Sequence, residues 1–135
     1  MTSSPAACRT IAAHLKDTGR SPAFYDLIVT GDLGELGSSL LVELLWREGI
    51  KVSNHTDCGL LIYDRETQDV HCGGSGAGCC ASVFTGFLLN GLCSRRWQNL
   101  LFCPTGALHS PTTLNQGESI PGICHAIALT APKEV

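Results

Sequence analysis

Charge is what this sequence has little of. Asp, Glu, Lys and Arg make up only 16% of its 135 residues, against the roughly 25% usual in globular chains. The basic residues are scattered, and the one pair beside an aromatic, Arg95–Arg96–Trp97, is too short to track a phosphate backbone. Nucleic-acid binding is not expected. No apolar run reaches the ~18 residues that a bilayer span takes. Met1-Thr2-Ser3-Ser4-Pro5 has neither the basic nor the apolar region of a signal peptide. These absences point to a cytoplasmic chain that is not secreted, so its eight cysteines face a reducing compartment rather than a disulfide framework. CxxC pairs and zinc-like Cys/His spacings are also missing. His55-x-x-Cys58 and His71-Cys72 are too sparse to hold an ion, so neither a metal nor a cofactor is expected. Most of the thiols fall inside helices or strands, where cysteine acts as a small hydrophobe.

What is present is a hydrophobic content of 44%, in a length that suits one domain over residues 1–135. Ser4 followed by Pro5 predicts a capped helix, with Ala7, Ile11, Ala12 and Leu15 on its apolar face and Gly19 as its stop. Tyr25 to Thr30 (YDLIVT) reads as a buried strand. After the turn Gly31-Asp32-Leu33-Gly34, leucines 36, 40 and 44, with 41 and 45 beside them, predict a second helix ending at Gly49. Asp32 and Glu35 fit its N-terminus, where negative charge is favoured. Leu60–Tyr63 (LLIY) reads as a strand, and the turn Gly73–Gly78 leads into a third helix through about Leu92. Asn99–Cys103 and Ile123–Leu129 read as strands, with an irregular loop over Gly106–Gly122 between them. The order predicts an α/β fold with a mixed sheet of about five strands flanked by helices.

From Cys72 to Ser94 there is no charged residue. A helix packed on one sheet needs a polar outer face, so an uncharged helix predicts a second covering layer. Either a missing partner half or a second copy of the chain is expected against the 76–92 helix, with Cys79, Val83, Phe87 and Leu88 at the contact.

Five stretches carry a resemblance: Tyr25–Gly37 (YDLIVTGDLGELG), Asp57–Asp64 (DCGLLIYD), His71–Gly78 (HCGGSGAG), Thr105–Thr112 (TGALHSPT) and Gln116–Ala126 (QGESIPGICHA). In one register they resemble the C-terminal half of the thiolase-like fold, and within it the stage V sporulation protein AD family. The resemblance implies a chain holding only the second half of a longer protein, without the half that carries the acylated cysteine of thiolase-like enzymes. It also implies a link to dipicolinate, to other stage V sporulation proteins and to the forespore, at its inner membrane through partners.

The resemblance also says where catalytic groups should lie. The condensing enzymes draw a His from the turn after the first strand, but this chain has Thr30-Gly31-Asp32-Leu33. They draw an Asn from the glycine turn before the buried helix, but this chain has Gly73-Gly74-Ser75-Gly76. No catalytic residue is therefore assigned, and enzyme activity is not expected. Cys103 stands where degradative thiolases carry a proton-shuttling cysteine, although a shuttle without its nucleophile has nothing to serve. The candidate ligand-binding residues are His71, Gly73, Gly74, Ser75 and Gly76, because N–H groups opening a helix favour an anion. The expected function is that of a non-catalytic sporulation protein fragment related to dipicolinate loading. Two alternatives stay open: half of a thiolase-like acyltransferase awaiting its N-terminal half, and a cysteine-rich metal or redox module.

Overall fold

The computed structural model describes residues 3–134. Met1 and Thr2, part of the N-terminal stretch considered above, and Val135 lie outside them. The chain forms three layers. A four-stranded sheet lies between a pair of long helices and a single segmented helix, and a two-stranded sheet sits at one end.

The first layer is α1 (Ser3–Thr18) with α2 (Gly34–Arg47). β1 (Leu27–Thr30) lies between them in sequence and forms the middle of the sheet. Both helices stop at glycines in the left-handed region, Gly19 (φ 65°) and Gly49 (φ 79°). The N–H one residue on bonds back to a carbonyl of the last turn in each case, Arg20 to Leu15 and Ile50 to Leu45, the usual end for a helix closed by glycine. Ser4 is not a free cap. It is buried, and its hydroxyl donates to the Gly37 carbonyl of α2 at 2.9 Å. The α2 stripe also differs from the predicted one: Leu41 and Leu45 are buried with Gly34, Gly37 and Ser38, whereas Leu36 is exposed. Small residues mark this interface because the helix backbones approach closely there.

β2 (His55–Asp57) pairs parallel with β1. The predicted strand at Leu60–Tyr63 is instead a helical turn, α3 (Cys58–Leu61), capped by the Asp57 side chain, which accepts from the Gly59 N–H. The cap wins over β-propensity because it satisfies an N–H that a buried helix start would otherwise orphan. The third helix runs as α4 (Cys79–Val83), a π-helical segment over Phe84–Leu88 and α5 (Leu89–Cys93).

β3 (Asn99–Cys103) matches its predicted span and pairs parallel with β1. β4 (Thr105–Ala107) and α6 (Pro111–Asn115) occupy the stretch expected to be irregular. The single closing strand expected at Ile123–Leu129 is two strands. β5 (Gly122–Cys124) pairs with β4 in the small sheet, and β6 (Ile127–Thr130) pairs antiparallel with β3. The main sheet has the order β2-β1-β3-β6.

Strand alternation divides the core in two. Ile28, Leu101 and Cys103 face α1 and α2, joining Ala7, Ile11, Leu15, Leu41 and Leu45. Val29, Leu100 and Phe102 face the segmented helix, joining Cys79, Val83, Leu88 and Leu92. Cutting any of the fully buried leucines to alanine removes about 2–5 kcal/mol.

The buried set on the uncharged helix corrects the expected contact face. Cys79, Val83 and Leu88 pack on the chain's own sheet. The π segment supplies the reason. The Leu89 N–H bonds to the Phe84 carbonyl five residues back, so one extra residue enters the turn. Val83 is therefore followed inward by Leu88 rather than Phe87. Phe87 turns half out and meets Trp97 edge-on, ring centroids 5.4 Å apart. The outer strip is Ala81, Ser82, Thr85, Gly86, Leu89 and Cys93, uncharged as expected but composed mainly of small residues.

Candidate functional site

Two glycine-bearing turns meet at the C-terminal end of β1. The first, Gly31–Gly34, opens α2. Gly34 has φ 68°, and a Cβ there would stand 2.7 Å from the Cys72 carbonyl oxygen, so both backbone shape and space require glycine. The Glu35 N–H donates to that same carbonyl at 2.9 Å, which sews the two turns together. The second, Gly73–Gly78, is pressed onto α3: a Cβ on Gly59 would fall 2.4 Å from the Gly74 oxygen, and one on Gly73 2.3 Å from the Gly59 oxygen.

Beneath this crossing lies Asp57, with no exposed surface. Its carboxylate accepts from the Thr30 hydroxyl at 2.6 Å, the Leu33 N–H at 3.0 Å, the Gly34 N–H at 3.0 Å and the Gly59 N–H at 2.9 Å. Asp57 thus caps the N-terminus of α2 through its hydrogen bonds, while Glu35 lies in the first turn as expected but does not cap it. Glu35 instead pairs with Arg65 at 2.6 Å. The Thr30 hydroxyl has one proton and gives it to Asp57, so His55, 2.9 Å away, donates its Nε2–H to Thr30. Burial holds the His55 pKa below its ordinary value, with the Asp57 charge a smaller opposing influence.

Above the crossing an open cleft of about 610 Å³ is bordered by Asp32, Ser75, Gly76, Cys80, Thr105 and His109. Asp32 is its centre. It accepts from the Ser75 hydroxyl at 3.1 Å, the Gly76 N–H at 3.2 Å and the Thr105 hydroxyl at 3.1 Å, and its own N–H donates to Thr105 Oγ1 at 3.1 Å. The donors expected to meet an external anion are already turned toward an internal carboxylate. Cys80 borders the same space, but burial first and the Asp32 carboxylate second raise its thiol above the ordinary value. A thiol held in its protonated form is a poor nucleophile.

Of the five predicted site residues, the structure brings Ser75 and Gly76 to this cleft. Gly73 and Gly74 lie beneath it as packing against α3. His71 is not brought in: it is exposed, at φ 46°, with its nearest charge Asp69 3.6 Å away. Sequence reasoning missed Thr105 and the reach of Asp32 across the cleft. Gly31 was the available signal, since its missing Cβ lets the Thr105 backbone pass; an added Cβ would meet the Thr105 nitrogen at 2.6 Å.

Cys103 lies at the end of β3 with no exposed surface. The neighbouring Cys124 thiol, followed by burial, raises its pKa well above the ordinary value. That buried thiol does not line the Asp32 cleft. Among the described residues, no three His, Cys, Asp or Glu side chains gather as a metal site, and no helix is long and apolar enough to cross a membrane.

Comparison with known proteins covers most of the chain. Residues 1–130 match the family profile described as stage V sporulation protein AD (SpoVAD). Stage V sporulation protein AD of Bacillus subtilis (strain 168) is 43% identical over 124 residues, which is 91% of this chain. The chain spans 36% of that relative's length, nearer a third than the half expected from sequence. With the profile running through every element from α1 to β6, the chain belongs to the stage V sporulation protein AD family.

Proposed function

We propose that this chain is a non-catalytic part of the machinery that loads dipicolinate into spores, acting in the forespore and at its inner membrane through partner proteins. Asp32 carries the reading. It occupies the turn from which thiolase-like condensing enzymes draw their His, and it presents negative charge to the cleft. A carboxylate there opposes the negative charge that develops on a carbonyl oxygen during acyl transfer, where an enzyme needs a donor.

The remainder of the longer protein is proposed to cover the uncharged outer strip of the segmented helix, since the chain spans 36% of its relative. Dipicolinate reaching the Ser75–Gly76 turn must displace Asp32 from both donors, so this chain's own contribution to binding is weak.

The test is an acyl-CoA assay on the purified chain, paired with calorimetric titration of dipicolinate. No turnover above the uncatalysed background is expected, and binding no tighter than about millimolar. Turnover abolished by Cys103→Ala would overturn the reading in favour of an acyltransferase half. Tight dipicolinate binding would overturn the weak half-site.

A further inference from the structure

Most of the thiols in this chain serve the core as small apolar groups. Burial raises the pKa of Cys8, Cys58, Cys79 and Cys80, which keeps them protonated and slow to react. One pair differs. Cys103 ends β3 and Cys124 ends β5, where the main sheet passes into the small one. Pro104 alone separates β3 from β4, and β4 pairs with β5 so that Thr105 lies opposite Cys124. The His125 N–H donates to the Pro104 carbonyl at 3.3 Å, which carries the pairing one step further, toward Cys103.

Both residues face α1. Cys103 belongs to the buried cluster with Ala7 and Ile11, and Cys124 packs against that cluster. From α1 the Thr10 hydroxyl donates to the Cys124 carbonyl at 2.9 Å. The two thiols are neighbours, yet their settings are unequal. Cys103 has no exposed surface. Cys124 is half-buried, and its Sγ touches the His125 carbonyl oxygen at 3.4 Å in a contact open to solvent. The Cys103 thiol lowers the Cys124 pKa, against burial and with help from the Thr10 hydroxyl. An accessible thiol with a lowered pKa, backed by a buried one, has the arrangement of an attacking and a resolving cysteine.

The segment between them matters to the cleft. Thr105, Gly106, Ala107 and His109 all border the Asp32 cleft and all lie between the two cysteines. A bond from Cys103 to Cys124 therefore closes a loop that forms one wall of that cleft. The two-stranded sheet lies outside the main ladder, so β5 is the part free to move in toward β3.

We propose that Cys103 and Cys124 are a reversible redox site, which a hydroperoxide converts to a disulfide that fixes this wall and a dithiol reductant releases. The Cys124 thiolate attacks the terminal peroxide oxygen: an S–O bond forms, the O–O bond breaks, and the departing alkoxide takes a proton from water. The Cys103 thiol then displaces the sulfenic hydroxyl, forming the S–S bond, and its proton leaves with that hydroxyl as water. The two thiols lose two electrons in all, and the hydroperoxide gains them. Disulfides in reducing compartments are usually of this transient kind. The site stands whether or not the chain meets dipicolinate.

The test treats the reduced full chain with an equimolar amount of hydrogen peroxide, blocks the remaining thiols, and maps the peptides by mass spectrometry. A Cys103–Cys124 cross-link is expected, lost on adding dithiothreitol. In Cys103→Ala, dimedone should label Cys124 as its sulfenic acid, whereas Cys124→Ser should give neither cross-link nor label at Cys103. If either variant misfolds by circular dichroism, brief exposure of the unaltered chain with dimedone present reads the same order, with Cys124 labelled first. The Leu108 amide, which donates to the Pro121 carbonyl at 3.0 Å within the closed loop, should exchange its hydrogen about tenfold or more slowly after oxidation. Both thiols remaining free, a cross-link to any other cysteine or between chains, Cys103 labelled ahead of Cys124, or unaltered Leu108 exchange would each overturn the proposal.

Discussion

Asp57 and Asp32 stand at the same strand ends, and each ties the opening of α2 to a distant glycine-containing segment. Asp57 has no exposed surface and answers four donors from three elements. Asp32 is half-buried at the rim of an open cleft and answers a hydroxyl and an N–H of one turn and the hydroxyl of Thr105. The difference is solvent. Donors orphaned at Asp57 have no replacement acceptor, whereas water can take the place of Asp32. One carboxylate belongs to the architecture, and the other is exchangeable.

The widest separation between them should appear on removal. Asp57→Ala leaves the Thr30 hydroxyl and three N–H groups without an acceptor, at about 1–3 kcal/mol for each that stays buried. The chain should lose at least about 3 kcal/mol, or fail to fold, as read from urea denaturation. A loss below about 1 kcal/mol would erase the distinction. Titrating the network from the histidine side should give a smaller effect. The folded pKa of His55 is depressed below the ordinary value of 6.5, so the unfolded chain binds its proton first as pH falls. Its contribution to stability is complete above pH 6.5 and is lost as pH drops through the folded value. His14 titrates with the same sign. His55→Gln should therefore flatten the pH dependence of the denaturation midpoint below pH 6.5, and an unchanged slope would place the titration elsewhere. Asp32→Ala should show the least, about 1 kcal/mol or under, with faster hydrogen exchange at the Gly76 amide. A loss matching that of Asp57→Ala would make the two carboxylates equivalent.

Some of this was legible in the residues alone and some was not. β3 was readable to its ends because Leu100–Cys103 is an unbroken apolar run behind Asn99 and the strand pairs on both sides. The Leu60–Tyr63 stretch was not, because what decides it is a cap from Asp57, and a side-chain hydrogen bond leaves no trace in periodicity. In α2 the leucines surround the helix, so their spacing could not say which stripe is inward; Gly37 and Ser38, small enough for α1 to approach, were the better guide. On the uncharged helix, regular spacing from Val83 points to Phe87, and only the inserted residue of the π segment brings Leu88 inward. At the site, Ser75 and Gly76 were found because glycine turns before helices attract attention. Thr105 and Asp32 were not joined, since 73 residues separate them and their meeting depends on two strands lying side by side.

The order of the main sheet has a bearing on how safely this chain can exist in crowded solution. Its outer strands are β2, three residues long, and β6, four residues long and followed at once by Ala131 and Pro132. A proline cannot donate to a ladder, and a three-residue edge offers too few open amides to template another strand. The Arg95 guanidinium donates to the Pro132 carbonyl at 3.0 Å, which occupies an acceptor just beyond the end of β6. Both margins of the sheet are therefore short, which disfavours edge-to-edge growth and fibrillar stacking through it.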